Sequence, residues 1–516
     1  MKVVIAYPPI DNIKGTPLLS QNRQYQVSPF SYFIYPVVPA YAATLLKQKG
    51  YEVYWLDGLA EKMTYEEWLE KVKEIQPDLI AIETKTPVIK YHWKIIEDLK
   101  KFQISRFDRE ARRANFKFQI VLMGDHVTAL PEESMQNCPV DFVITGGDYD
   151  FGLLNIANHL SKKEPLGSGI WYRKKILNTK YPLRPPRREA GRSEASLIHN
   201  TGNFTLNHNL DELPTIDRNL TNWQKYAYKN SNFFRAPGAY TMFGRDCWWG
   251  KCTFCSWCTI YPGSKFRVMS VKKAIAEVEN LVKNYHVKEI MDDSGSFPVG
   301  DWLRQFCEEI IKKGYQKKIR INCNMRFNSG LTEKDYQLMG KAGFRFILYG
   351  LESANQDTLD RLNKNSKVEQ IEPALRMAKK AGLWPHVTVM VGYPWEGERE
   401  IGKTIGLVKD LFKKGLVNTM QATIVIPYPG TPLFRECEKK SWLKTLDWNR
   451  YDMREPIMKA GVPDERLLAA VRELYSHSIW NKTFILNTIK QLKNWDGTKY
   501  VSFQGLKYLG KLLEFK

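Results

Sequence analysis

No apolar run in this 516-residue sequence approaches the roughly 20 residues needed to cross a bilayer, which excludes a membrane-spanning helix. The N-terminus, MKVVIAYPPI, enters a strand-like run at once and lacks the architecture of a signal peptide. Both absences point to a cytoplasmic protein, in a compartment where thiols stay reduced. Cysteine is scarce, with eight residues in all. So few in so long a chain argue against a disulfide framework, and any that cluster read as a metal or redox site. Acidic residues are in deficit, 56 against 77 lysines and arginines, for a net charge of +21. That balance fits an acidic partner (nucleic acid, anionic membrane surface or acidic protein) or a solvated, lysine-rich surface. The basic residues are spread widely, which favours the second reading. There is no internal repeat and no low-complexity tract. Hydrophobic residues make up 43%, which excludes a disordered chain, and the length asks for two or three domains.

The first part alternates strand-like and helix-like segments. KVVIAYPP, YEVYWLDG, DLIAIETKTP, FQIVLMGDH and DFVITGGD read as strands, with VVPAYAATLLKQKG and YEEWLEKVKEIQP as helices between them. Such alternation predicts a doubly wound parallel sheet, with ligands at the carboxyl ends of the strands. From about Lys162 to Phe234 the pattern lapses, and the basic, proline-containing YRKKILNTKYPLRPPRREAGRSEAS reads as a linker. A second alternating run then begins near AYTMFGR. Its strands continue through KEIMDD, IRINCNMR, RFILYGLE, HVTVMVGYP and MQATIVIPYPGTP. Six strand–helix units suit an open, partial barrel better than a closed eight-unit one. The expected organisation is α/β: a Rossmann-like domain over 1–160, a linker over 161–234, a partial (β/α)6 barrel over 235–440 and a mainly helical region over 441–516.

Half of the cysteines fall within RDCWWGKCTFCSWC, as Cys247, Cys252, Cys255 and Cys258. Four closely spaced thiolates hold zinc or an iron–sulfur cluster. A zinc ribbon usually splits its ligands into two distant pairs. Here all four follow the first strand of a barrel-like run, at the end where barrel chemistry sits, which favours iron–sulfur. Three thiolates leave one iron of a [4Fe–4S] cluster open to a ligand.

GRDCWWGKCTFC resembles the signature of the radical S-adenosylmethionine enzymes, in which three cysteines hold the cluster. The family pattern has three residues between the first two cysteines, and this chain has four. Cys247, Cys252 and Cys255 are the preferred set, because GRDC matches the strand-end entry. Cys252, Cys255 and Cys258 are the alternative, and otherwise Cys258 is a packing residue. MDDSGSF, NCNMR, YGLES, KKAG, MVGYPWEGE and PYPGTPL follow in the family's order. The resemblance implies that S-adenosylmethionine binds the open iron, that Phe254 holds its adenine chiefly through the backbone, and that Asp293, Asn324 and Glu352 contact its methionine or ribose. The alternative for these three is loop capping.

The first domain resembles the cobalamin-binding domain that precedes many of these enzymes, through YPVVPAYAATLLKQKGYEV, IAIETKTP, GDHVTALPEE and DFVITGGD. The resemblance implies cobalamin contacts at Thr84, Thr86, Gly124, Asp125, His126, Thr128 and Gly146. The alternative is a flavodoxin-like sheet without ligand. The DxHxxG sequence that supplies a lower axial histidine in other cobalamin enzymes is absent, and the loop after the first strand reads YPPIDNIKG. Cobalamin without histidine ligation is therefore expected. Together the resemblances imply a class B-like methyltransferase (EC 2.1.1.-) that C-methylates an unactivated carbon through methylcobalamin and a 5′-deoxyadenosyl radical. An electron donor such as flavodoxin or ferredoxin would feed it, and its substrate would be a protein or peptide side chain, a lipid or a secondary metabolite. The rival readings are a cyclase or oxidase with the same cofactors, and a zinc-containing nucleic-acid-binding protein. In the tail, WNKTFILNTIKQLKNW and YVSFQGLKYLGKLLEFK mix aromatic, aliphatic and basic residues. They suit a helix packed on its own domain, or peripheral contact with a membrane or lipid-like substrate.

Overall fold

The computed structural model describes residues 1–10, 15–19, 26–28, 33–104, 117–174, 198–228, 230, 232–263, 266–479, 497–499, 501–502, 504–506 and 510. The basic stretch after Lys174 and most of the aromatic, basic tail lie outside the described residues. Two compact units result. One comprises Met1–Ile13, Val38–His208 and Ile216–Asn222; the other comprises Lys14–Val37, Asn209–Thr215 and Trp223–Lys516.

The first unit is built on a seven-stranded sheet. Its order is Glu52–Asp57, Lys2–Tyr7, Leu79–Thr84, Gln119–Gly124, Phe142–Ile144, Ile170–Arg173 and Ile198–Asn200. The first five are parallel, and the last two are added at the edge, each pairing antiparallel with the strand before it. All six residues of LIAIET in Leu79–Thr84 are buried, as expected of a parallel strand covered on both faces. The strand order reverses between Lys2–Tyr7 and Leu79–Thr84, which puts a topological switch point at their carboxyl ends. Local signals place the helices. Thr64 caps Tyr65–Ile75 in a capping box, accepting from the Glu67 N–H at 3.2 Å while Glu67 accepts from the Thr64 N–H at 2.8 Å.

The two antiparallel edge strands fall in the stretch read as linker. IWYR pairs back onto Phe142–Ile144, with Ile170 opposite Ile144, so the first sheet extends past residue 160.

The second unit carries six parallel strands in chain order: Gly238–Thr241, Glu289–Asp292, Arg320–Met325, Phe344–Glu352, Trp384–Val391 and Thr419–Ile424. The first and last strands are edges, so this is a partial barrel. Amphipathic helices cover it. Val271–Asn284 buries Ala274, Ile275, Val278, Leu281 and Val282 on one face, with the lysines outside. Asp464–Ile479 packs against the last strand, where the Tyr475 hydroxyl accepts from the Ala422 N–H at 3.1 Å. Among the described residues no helix is long and apolar enough to cross a membrane.

Candidate functional site

The cysteine-bearing loop leaves the barrel after Gly244–Arg245, which pairs antiparallel with Arg267–Val268 and so ties the two ends of the loop together. Beside that pairing, Arg267 grips the buried carboxylate of Asp246 with two bonds of 3.0 and 3.2 Å. Gly250 makes a left-handed turn, φ +60°, within the four-residue spacer between Cys247 and Cys252. Two tryptophans pin the loop: the Trp248 indole donates to Ser296 at 2.7 Å and the Trp249 indole to the Asn363 carbonyl at 2.6 Å. The Thr253 N–H donates to the Leu362 carbonyl and the Leu433 N–H to the Thr253 carbonyl, both at 2.9 Å. The loop is thereby held against later strand-end segments before any ligand is considered.

Cys247, Cys252, Cys255 and Cys258 all line one cavity of about 260 Å³ at the carboxyl ends of the strands. Phe254, Asp293, Asn324 and Glu352 line the same cavity. Each of the last three stands at or just beyond the end of a different strand. Asn324 is tied to the Ser294 carbonyl at 3.0 Å, and the Asp293 N–H donates to Thr241 at 2.8 Å. Glu352 is buried and paired with Lys364 at 2.8 Å. Gly350 makes that pairing sterically possible, since a Cβ there would stand 2.3 Å from Glu352 Oε1 and 2.8 Å from Lys364 Nζ.

Two cations favour thiolates. Arg326 Nη1 lies 3.5 Å from Cys252 Sγ, and Lys364 sits 5.9 Å from the Phe254 ring centroid. Burial raises the Cys252 pKa overall, and Lys364 and Arg326 offset part of that rise. The hydrogen bond from Cys258 brings Cys255 down to about 7, and the same bond pushes Cys258 up. Trp257 turns a buried indole N–H with no partner among the described residues into the cavity wall. Among the described residues no group of three His, Cys, Asp or Glu side chains is gathered to cage a single metal ion. The thiols are distributed around a shared cavity instead, a donor set that suits a cluster with several irons.

In the first unit, the seven residues expected to touch cobalamin come from the loops after three strands. Gly124 has φ +142°, and a Cβ there would lie 2.1 Å from the Thr84 carbonyl oxygen, so only glycine lets these two strand ends approach. The polar residues bond to their neighbours. Thr84 meets His92 at 2.8 Å, Asp125 pairs with Lys85 at 3.0 Å, and Thr128 donates to Gly124 at 2.7 Å and accepts from the Gly146 N–H at 3.2 Å. His126 is buried, with Nδ1 3.3 Å from Thr86 and Nε2 3.0 Å from Glu133. Both ring nitrogens thus have partners within the unit. These bonds join the loops after the three strands to one another at the carboxyl end of the sheet.

Residues 241–408 match the family model described as the radical SAM superfamily. That stretch holds all four loop thiols together with Phe254, Asp293, Asn324 and Glu352. This stretch is a radical S-adenosylmethionine domain. The match implies a [4Fe–4S] cluster and S-adenosylmethionine as cofactors. The enzyme is 27% identical to an uncharacterized methyltransferase of Pyrococcus horikoshii, over 82% of this chain and 83% of that one. It is 26% identical to the anaerobic magnesium-protoporphyrin IX monomethyl ester cyclase of Rubrivivax gelatinosus, over 87% of this chain and 74% of that one. Its fold matches that of the cobalamin-dependent S-adenosylmethionine radical enzyme OxsB, solved with aqua-cobalamin and S-adenosylmethionine. The TM-score is 0.67 at 16% identity, covering 99% of this chain and 71% of that one.

Sequence reasoning missed two cations of this radical enzyme's cavity, Arg326 and Lys364. Arg326 closes the quoted NCNMR and was within reach. Lys364 follows a short helix in RLNKNS, where no pattern marks it.

Proposed function

We propose that this enzyme transfers a methyl group from S-adenosylmethionine to an unactivated carbon of its substrate. Cys247, Cys252 and Cys255 would hold the [4Fe–4S] cluster, and the first unit would hold cobalamin. The observation that carries the reading is one cavity at the barrel's strand ends, walled by the cysteines and by four residues suited to S-adenosylmethionine. It occurs in a chain whose fold matches a cobalamin-dependent enzyme. When bound, the cluster supplies an electron to a sulfonium and cobalamin supplies a carrier for a methyl group. The chain's own part is binding, orientation and exclusion of water. Glu352, fixed by Lys364, offers a carboxylate to ribose hydroxyls, and Asp293 and Asn324 offer polar groups to the methionine moiety. Phe254, Met390 and Leu362 belong to an apolar cluster beside the thiols, which limits water at the reacting centre. A net charge of +21 suits an acidic electron donor such as flavodoxin or ferredoxin.

Incubation with methyl-labelled S-adenosylmethionine tests the reading: label should appear on carbon in the product and depend on added cobalamin. The similarity to a named cyclase favours a second reading, ring closure or oxidation with the same cofactors. A changed product without label would decide for it.

A further inference from the structure

The second unit has another cavity, at the opposite end of its strands from the cysteines. It opens where Arg320–Met325, Phe344–Glu352 and Trp384–Val391 begin, and has a volume of about 450 Å³. Its wall includes Arg235, Arg320, Lys341 and Arg345, and no carboxylate. One buried acid, Glu289, serves this group, and it is already well bonded. It accepts from Asn322 at 2.6 Å, from Arg345 Nε at 3.0 Å and from the Arg235 backbone N–H at 2.7 Å. Arg345 is also held between the rings of Phe234 and Trp384, 5.7 and 5.0 Å from their centroids.

The other cations have no such partner. Arg320 donates to the carbonyls of Gln316 at 2.7 Å and Ile319 at 3.1 Å. The side chains of Arg235 and Lys341 have no acidic partner among the described residues. Burial depresses the Arg320 pKa, and repulsion from Arg235 and Arg345 adds to the effect, against a partial offset from Glu289. The Gln316 side chain, also in the wall, has a buried amide oxygen without a partner among the described residues. An amide turned over presents N–H groups to the same space.

We propose that this cavity binds the phosphoryl groups of a small polyanion of the pyrophosphate or nucleotide class. Four cations facing one satisfied carboxylate call for several negative charges, more than a single carboxylate brings. Guanidinium forks match phosphoryl oxygens two at a time. A concave space of this volume accommodates a small molecule. The site uses none of the residues assigned to the cluster or to S-adenosylmethionine, so it stands apart from the proposed methyl transfer.

Calorimetric titration of the full-length, cluster-loaded enzyme with pyrophosphate tests this, with citrate as a carboxylate polyanion for comparison. Arg235→Gln and Lys341→Gln lie outside the Glu289 ion pair and should fold. Pyrophosphate should bind saturably and more weakly as salt rises. Each variant should weaken it about tenfold, the scale of one lost charge-assisted contact, with iron content unchanged. Absence of saturable binding at roughly millimolar pyrophosphate, or binding that both variants leave intact, would overturn the proposal. Citrate bound as tightly would overturn the phosphoryl assignment. A single-stranded RNA that needs these residues where pyrophosphate does not bind would replace the small ligand by a nucleic acid.

Discussion

At the scale of single residues, the site depends on charges that cannot be separated cheaply. Glu352 and Lys364 are 8% and 6% exposed in their side chains and 2.8 Å apart. If Lys364 is lost, Glu352 keeps, among the described residues, a long contact from Thr388 at 3.4 Å. A buried carboxylate stripped of its partner typically costs about 3–5 kcal/mol. Lys364→Met should therefore lower the unfolding free energy, read from denaturant titration, by that order, and Glu352→Gln in the same chain should restore most of it. A single variant as stable as the parent would mean that the pair does not hold this part of the cavity. The two residues also show what a sequence reveals. Glu352 ends a strand inside a motif and was singled out. Lys364 matters only because the chain folds back twelve residues later, and no local pattern records that.

At the scale of elements, the central strands of the first unit share a buried polar contact. Tyr7 on Lys2–Tyr7 donates to Glu83 on Leu79–Thr84 at 2.5 Å. Burial raises the Glu83 pKa from 4.5 to about 7, against the lowering influence of Lys85 and of the Tyr7 hydrogen bond. An acid raised in this way keeps its proton longer in the folded state than in the unfolded one. It has no effect on stability below pH 4.5. Its cost grows as pH rises through the window to about 7 and is complete above it. At about 1.4 kcal/mol per pKa unit the cost reaches a few kcal/mol. The melting temperature of Glu83→Gln, relative to the parent, should rise between pH 5 and pH 8. Asp292 is also raised to about 7 by burial, so the comparison with the variant, rather than the parent curve alone, isolates Glu83. Parallel curves for the two proteins would refute the assignment. The strands that carry this chemistry were legible because parallel strands covered on both faces read as unbroken apolar runs, as LIAIET does. Ile170–Arg173, Ile198–Asn200 and the hairpin of Thr16–Leu18 with Gln26–Ser28 were not. These strands are short and stand outside the strand–helix alternation that marks equally short ones such as Phe142–Ile144, and they exist because a neighbour offers them an edge.

At the scale of the whole molecule, two compact units each carry one of the two proposed sets of cofactor contacts, and that division is testable. Gly124 is the point to attack. It ends a strand opposite Thr84, its φ of +142° is costly for any other residue, and a Cβ would meet the Thr84 carbonyl at 2.1 Å. Gly124→Val must therefore displace the loop that carries Asp125, His126 and Thr128, while every cysteine of the cluster loop belongs to the other unit. The expected outcome is cobalamin retention reduced roughly tenfold or more, the effect of losing one or two good contacts. Iron content and reductive cleavage of S-adenosylmethionine should stay at the parent level, and methyl transfer should fall with the cobalamin. Cobalamin content and cleavage rate are measured on the same preparation, so a general folding defect would show itself as loss of both. Normal cobalamin in the variant would remove the strand-end loop from the binding site. Loss of iron alongside cobalamin in a variant that keeps the parent's circular dichroism and melting temperature would show that the second unit does not hold its cluster independently of the first.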